Sequence, residues 1–209
     1  LLADWLYFCR NEITIMIKLG ELAEVRMGYP FRSRLEHDPL GHVTVIQMRD
    51  IDDSSVLHLE DAVKVTLPDS KGHHQLQAGD LLFRSRGRSN TVAQVAEDIG
   101  EAVLAAPMLM IRPRASVLPA YLHWYINLPQ TQIVLGSMAS GTAVQMISKD
   151  VLMTLELPVP GLAEQQRIVE LAALAQREQV LMANIANRRR QLVEGVLTQY
   201  AKNSRRRAG

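Results

Sequence analysis

Apolar and polar residues change rhythm twice along this chain, and the changes divide it into three stretches. Residues 1–17 form an apolar-aromatic leader, LLADWLYFC and onward, with no capping signature to place it. From Leu19 the chain breaks into short runs separated by turn residues. GHVTVIQMRDI (41–51), rich in β-branched residues and closing on the acidic turn from Asp50 to Ser55, predicts a strand. AVKVTL (62–67) alternates apolar and polar positions and stops at the turn signal Pro68-Asp69. DLLFRSR (80–86) and AVLAAPMLMIRP (102–113) predict further strands, the second with Pro107 marking an edge or a break. LPAYLHWYINLPQTQIVLGSM (118–138) carries Leu122, Tyr125, Ile126, Ile133 and Val134 at helical spacing, and Pro129 divides it into two short helices. VLMTLELPVP (151–160) predicts a final strand, ended by two prolines.

After Pro160 the rhythm becomes helical. Leu162 to Ala201 holds no proline and a single glycine, and Glu164 lies in the first turn, where the helix dipole favours an acid. Leu174, Leu181, Ile185 and Leu192 recur at spacings of seven, four and seven, a heptad seam interrupted by Glu178 and Arg188. A helix of about 40 residues is a rod of roughly 60 Å, whereas a body of about 140 residues is only about 30 Å across. Part of the seam should therefore be covered by another chain or a second copy. The pattern as a whole is α+β: one mixed, β-rich globular body over 18–160, then a long helix over 161–201. The end, KNSRRRAG, reads as a solvated basic tail over 202–209.

Composition narrows the class. Apolar residues make up 47% of the 209 and charged ones 22%, ordinary globular usage that excludes disordered and collagen-like chains. No apolar run reaches the ~18 residues of a membrane span. The greasy opening contains Asp4, Arg10 and Glu12 without a small-residue cleavage site, so it does not read as a signal peptide. Cys9 stands alone and can form no internal disulfide, which fits a cytoplasmic protein. The net charge of +1 hides an asymmetry: residues 1–160 hold 14 basic against 18 acidic side chains, and residues 161–209 hold 9 against 4. The body thus lacks a basic field of its own, although local arginines still meet phosphates within a screening length of about 8–10 Å.

Motifs of catalysis are missing. There is no G-x-G-x-x-G, no Walker loop and no G-x-S-x-G elbow. His37, His42, His58 and the pair His73-His74 are scattered loop histidines, and with one cysteine they make no metal-ligand spacing. Asp69-Ser70-Lys71 resembles the D-x-K part of a nuclease site but has no convincing upstream acid. No catalytic residue and no metal site is expected. What does gather is donors on flexible backbone, in three clusters. Tyr29, Arg32 and Arg34 sit on the Gly28–Arg34 loop beside Phe31. Arg84, Arg86 and Arg88 recur at alternate positions in GDLLFRSRGRS (79–89), so period two puts them on one face of a continuing strand. Thr142, Gln145 and Lys149 lie in SGTAVQMISKD (140–150). Arginine reads guanine bidentately, glutamine reads adenine, and hydroxyls and amides hold phosphates. Each cluster alone reads equally well as a solvated loop; three in a body without catalytic motifs shift the weight toward binding.

The order of these motifs resembles a specificity subunit of type I restriction–modification systems. KLGELAEVRMGYPF (18–31), GDLLFRSRG (79–87) and PAYLHWYINLPQTQIVLGSMASGTAVQMISKDVLMTLELPVPGLAEQQRIVE (119–170) carry the resemblance, which covers roughly 18–200. It implies that 18–160 is a target recognition domain and 161–201 a conserved spacer helix. Family members usually carry two of each, so this chain resembles a half-subunit that pairs with itself through Leu174, Leu181, Ile185 and Leu192. The expected partners are double-stranded DNA, methyltransferase subunits, a second copy of the chain and, in a restricting system, restriction subunits. S-adenosylmethionine, magnesium and ATP would then belong to the partner subunits, and this chain would need no cofactor. The alternative is a stand-alone DNA-binding regulator dimerising through its C-terminal helix, although no compact helix-turn-helix signal is visible. A pure scaffold would use the helix without the arginines.

Overall fold

Short β-branched runs make short strands, and here the strands of the body are shared between three sheets. A computed structural model describes residues 15–67, 74–87, 89–141 and 145–207, with side chains to residue 203. β1 (Met16–Lys18) pairs antiparallel with β9 (Glu156–Pro158). β2 (Ala23–Met27), β8 (Leu109–Pro113), β5 (Leu81–Phe83) and β6 (Val92–Gln94) form a four-stranded antiparallel sheet in that order. β4 (Val63–Val65), β3 (Val43–Ile46) and β7 (Ala102–Leu104) form a three-stranded sheet in which β3 and β7 run parallel.

Period-two alternation explains how the two larger sheets share a core. Ile46, Ala102 and Leu104 turn one way from the three-stranded sheet and pack with Leu82, Ala93 and Met110 of the four-stranded sheet. Val43, Val45, Val103 and Ala105 turn the other way and are covered by Phe31, Leu35, Val65 and Leu67. A sheet buried on both faces has no room for polar alternation, which is why AVL at 102–104 is wholly apolar.

One expectation is refined here and one corrected. The run 102–113 breaks at Pro107, which cannot donate to a ladder, into two strands that lie in different sheets; the Ala106–Pro107 peptide is cis. The final strand expected over 151–160 is only Glu156–Pro158. Before it stands a short helix, Lys149–Met153, started by Ser148, whose hydroxyl accepts from the Val151 amide, with Asp150 in the first turn. The split at Pro129 holds: Pro119–Ile126 and Pro129–Met138 are separate helices with proline in the first turn of each. With the turn Leu19–Leu22 as α1, these are α2 (119–126), α3 (129–138) and α4 (149–153). Strand β1 straddles the expected boundary between leader and body; residues 1–14 lie outside the described residues.

The last helix, α5 (Leu162–Arg207, 46 residues), runs through the stretch expected as a tail, where arginines favour the negative end of a helix dipole. The chain divides into one compact unit ending at Gln166 and a second beginning at Arg167. Within the first, Gln165 is fully buried in the opening turns of α5. Its side chain accepts from the Leu118 amide (2.8 Å) and donates to the carbonyls of Pro160 (2.8 Å) and Ser116 (3.3 Å).

Asp80, 1% exposed and more deeply buried than Asp50 at 6%, holds Arg112 through two contacts of 2.7 Å. The same carboxylate accepts from the Gln77 amide, and Arg112 reaches on to the Gln75 carbonyl, so one pair ties the 75–80 connection to β8. Hydrogen bonding to Asp80 also raises the Arg112 pKa above its ordinary value. Asp80→Ala leaves this guanidinium without its counter-ion and should cost about 3 kcal/mol in urea unfolding. Replacing both partners by apolar residues of similar volume should recover much of that loss.

Candidate nucleic-acid interface

The short connection Ala105–Met108, which carries the chain from one sheet to the other, is where the arginine-bearing segments meet. Tyr29 N donates to Leu104 O (2.6 Å), Ala106 N to Tyr29 O (3.0 Å), and Gly28 N to Met108 O (2.9 Å). A Cβ at Gly28 would lie 2.6–2.8 Å from backbone atoms of Leu104 and Ala105, so only glycine permits this crossing. From the other side the buried Ser85 hydroxyl donates to Pro107 O (2.7 Å). The third segment joins the second: Ile147 N donates to Ser85 O (2.9 Å), Arg86 pairs with Met146, and Met146 exchanges two backbone hydrogen bonds with Ser140. Three stretches far apart in sequence are thus bonded in series around one cis-proline turn.

The individual side chains differ in setting. Arg32, Arg34, Arg86, Gln145 and Lys149 are exposed. Arg86 Nε lies 3.4 Å from Met146 Sδ, and Lys149 opens α4. Tyr29 is half-buried, 4.8 Å from the Phe31 ring and edge-on to His74 at 5.4 Å. Arg84 is half-buried and its Nε has no hydrogen-bond partner. β5 ends at Phe83 and does not continue through Arg84 and Arg86; the buried Ser85 separates the half-buried Arg84 from the exposed Arg86. Arg88 and Thr142 lie outside the described residues, as do Asp69, Lys71 and His73. Among the described residues no cluster of three or more His, Cys, Asp and Glu could hold a metal ion.

Sequence reasoning missed several participants. Gln47 and Met48 line, with Phe31, Ser33, Arg34 and Ala105–Met108, a cavity of about 520 Å³ whose wall includes the unpartnered buried amide nitrogen of Gln47. It missed β6 too, and with it the way the arginine hairpin is held. Asn127 at the end of α2 accepts from Val92 N (3.0 Å) and donates to Val92 O (2.9 Å). Gln132 of α3 accepts from Asn90 N and donates to Asn90 O, both at 3.1 Å, and also donates to Ile126 O. Two side-chain amides therefore stand in for a neighbouring strand along the edge 90–92. Asn90 in turn donates to the Arg84 carbonyl. No periodicity marks an amide side chain as a substitute strand.

His123 completes this support. Asn127 Nδ2 lies 3.2 Å from His123 Nε2, so the ring accepts there and carries its proton on Nδ1. Burial pushes its pKa below the ordinary imidazole value. The unfolded chain then binds the proton more readily, so this contribution is fully present above pH ~6.5 and is lost as pH falls below it. Unfolding measured at pH 7.5 and 5.5 should show an acid loss that His123→Gln reduces. The exposed His58, raised by its hydrogen bond to Asp52, has the opposite sign and is common to both proteins.

An α+β body with guanidinium and amide donors gathered on loops, followed by a long solvent-facing helix, defines a recognition module. The family is specific: residues 13–177 match the type I restriction modification DNA specificity domain, and the chain belongs to that family. Solved structures agree in fold. The chain is similar to the HsdS subunit from Thermoanaerobacter tengcongensis (24% identity, TM-score 0.59), covering 81% of this chain and 38% of that one. It is similar to a chain from a structure described as the basis of complex assembly and conformational transition of the type I R-M system (22%, 0.58, 81% and 39%). It is also similar to the type I restriction-modification S subunit from M. genitalium (13%, 0.53, 80% and 40%). It spans about two fifths of the length of these solved chains. A search of curated proteins finds no match. No helix among the described residues is long and apolar enough to cross a membrane.

Proposed function

We propose that the chain is the DNA-reading part of a type I restriction–modification methyltransferase complex and recognises one half of a bipartite target. The observation that carries this reading is the serial bonding of the Tyr29, Arg84–Arg86 and Gln145 segments around Ala105–Met108. It gathers side chains able to contact bases and phosphates onto one connected, backbone-anchored region. Tyr29, Arg32, Arg34, Arg84, Arg86, Arg88, Thr142, Gln145 and Lys149 form the DNA-facing set. The chain itself catalyses nothing; S-adenosylmethionine, magnesium and ATP are held by methyltransferase subunits and, where the system restricts, restriction subunits. It works as a half-subunit, and two copies joined through α5 read the two halves of the target.

The test begins with co-purification of a methylating subunit and mapping of the methylated site. Binding of the assembled complex to cognate and scrambled duplexes is then measured at two salt concentrations for Arg84→Ala, Arg86→Ala and Arg88→Ala. A base-reading arginine should cost about 1–3 kcal/mol and relax preference at one base pair. A phosphate-contacting one should weaken all sequences alike and reduce the salt slope by about one. If all three variants leave affinity and preference untouched, this loop is not the interface. Metal-dependent nicking by the chain alone, abolished by Lys71→Ala, would replace the recognition reading with a nuclease.

A further inference from the structure

We infer that the two charged residues interrupting the seam of α5 fix the register in which two copies of the helix pair. The inference rests on the half-subunit reading and goes beyond it by stating which residues face each other. The seam runs Leu174, Glu178, Leu181, Ile185, Arg188, Leu192, all within one continuous helix and all exposed in the single chain. Its four apolar members are 54–69% exposed, too open for a stripe without a cover.

The order of these residues is symmetric about Ala183. Leu181 and Ile185 stand two residues to either side of it, Glu178 and Arg188 five, and Leu174 and Leu192 nine. A two-fold axis at the level of Ala183 therefore makes the seam complementary to itself in an antiparallel pair. Leu174 meets Leu192 of the second copy, Leu181 meets Ile185, and Glu178 meets Arg188, each contact occurring twice. The flanks agree, since Arg177 then faces Gln191 and Asn184 lies against its own copy.

Competing arrangements fail on charge. A parallel pair in register sets Glu178 against Glu178 and Arg188 against Arg188, like charges inside the seam. An antiparallel pair slid by one heptad leaves Glu178 against Gly195 or Leu181, and Arg188 against Ile185 or Leu171. Either slide leaves charges in the seam without counter-ions. What reads as damage to a heptad is thus its address: the apolar positions supply the attraction, and the charged pair selects one of several geometries. At 1.5 Å per residue this register sets the two Gln166 positions about 50 Å apart along the pair.

The experiment is sedimentation equilibrium of the purified chain with charge reversals. Glu178→Arg and Arg188→Glu, each alone, should raise the dimer dissociation constant about tenfold or more. The double variant should return to within about threefold of the parent, and an equimolar mixture of the singles should associate more tightly than either alone. In a Cys9→Ser background, oxidation should cross-link a mixture of Leu174→Cys and Leu192→Cys chains but not Leu174→Cys to itself. A parent dimer indifferent to the reversals, or self-cross-linking at position 174, overturns the inference and leaves the half-subunit reading standing. A chain that stays monomeric at tens of micromolar, with and without its methylating partner, overturns both.

Discussion

The crossing of Gly28 over the Leu104–Ala105 peptide is the constraint on which the body depends. β7 belongs to a sheet buried on both faces, β8 to the neighbouring one, and only four residues join them. Buried backbone at such a junction needs hydrogen-bond partners, and the Gly28–Tyr29 backbone supplies them on one side while Ser85 supplies them on the other. Any side chain at position 28 would separate the strands by colliding with the carbonyls of Leu104 and Ala105. The same bonds that close the core therefore fix the roots of the loops carrying Arg32, Arg34, Arg84 and Arg86. Placement of the candidate interface is a by-product of satisfying a sheet-to-sheet junction.

The edge of the four-stranded sheet shows the same economy. β6 would present free backbone groups at residues 90 and 92, an invitation to pair with another chain. Asn127 and Gln132 occupy those groups from helices that also cover the sheet, and Asn90 carries the effect back to Arg84. A mobile hairpin bearing arginines would lose conformational entropy on meeting DNA; one held by four side-chain hydrogen bonds has lost it already.

What the chain's letters reveal, and what they conceal, follows from the range of each interaction. Long α5, the break at Pro129 and the α+β class are written in local periodicity and proline placement, so they are legible without a fold. The break at Pro107 is legible in 102–113, but a run buried in both halves cannot say that the two belong to different sheets. The helix 149–153 hides because five residues carry too little periodicity to compete with VLMTLEL, although the Ser148 cap was there to be seen. The candidate site divides the same way. Its arginines announce themselves by type, whereas Gln47, Asn127 and Gln132 matter only through partners 35 or more residues away, or through a cavity wall no spacing encodes.

Charge ties the two units of the chain together functionally. Residues 1–160 carry four more acids than bases, so the body has no long-range attraction for a phosphate backbone and must act through contacts inside a screening length. A single body of that kind gains little from electrostatic steering and should bind one half-target weakly. Joining two bodies through one helix pair changes the arithmetic, because the second half-target is then met at the high effective concentration set by the linkage. That gain exists only when the linkage holds both bodies at a separation the DNA can satisfy. A helix pair free to slide by a heptad shifts that separation by about 10 Å, the rise of seven residues. In the proposed dimer, specificity for a bipartite target would therefore place its heaviest demand on the register of α5, and a seam of uniform leucine would bind its copy more tightly and read the target less well.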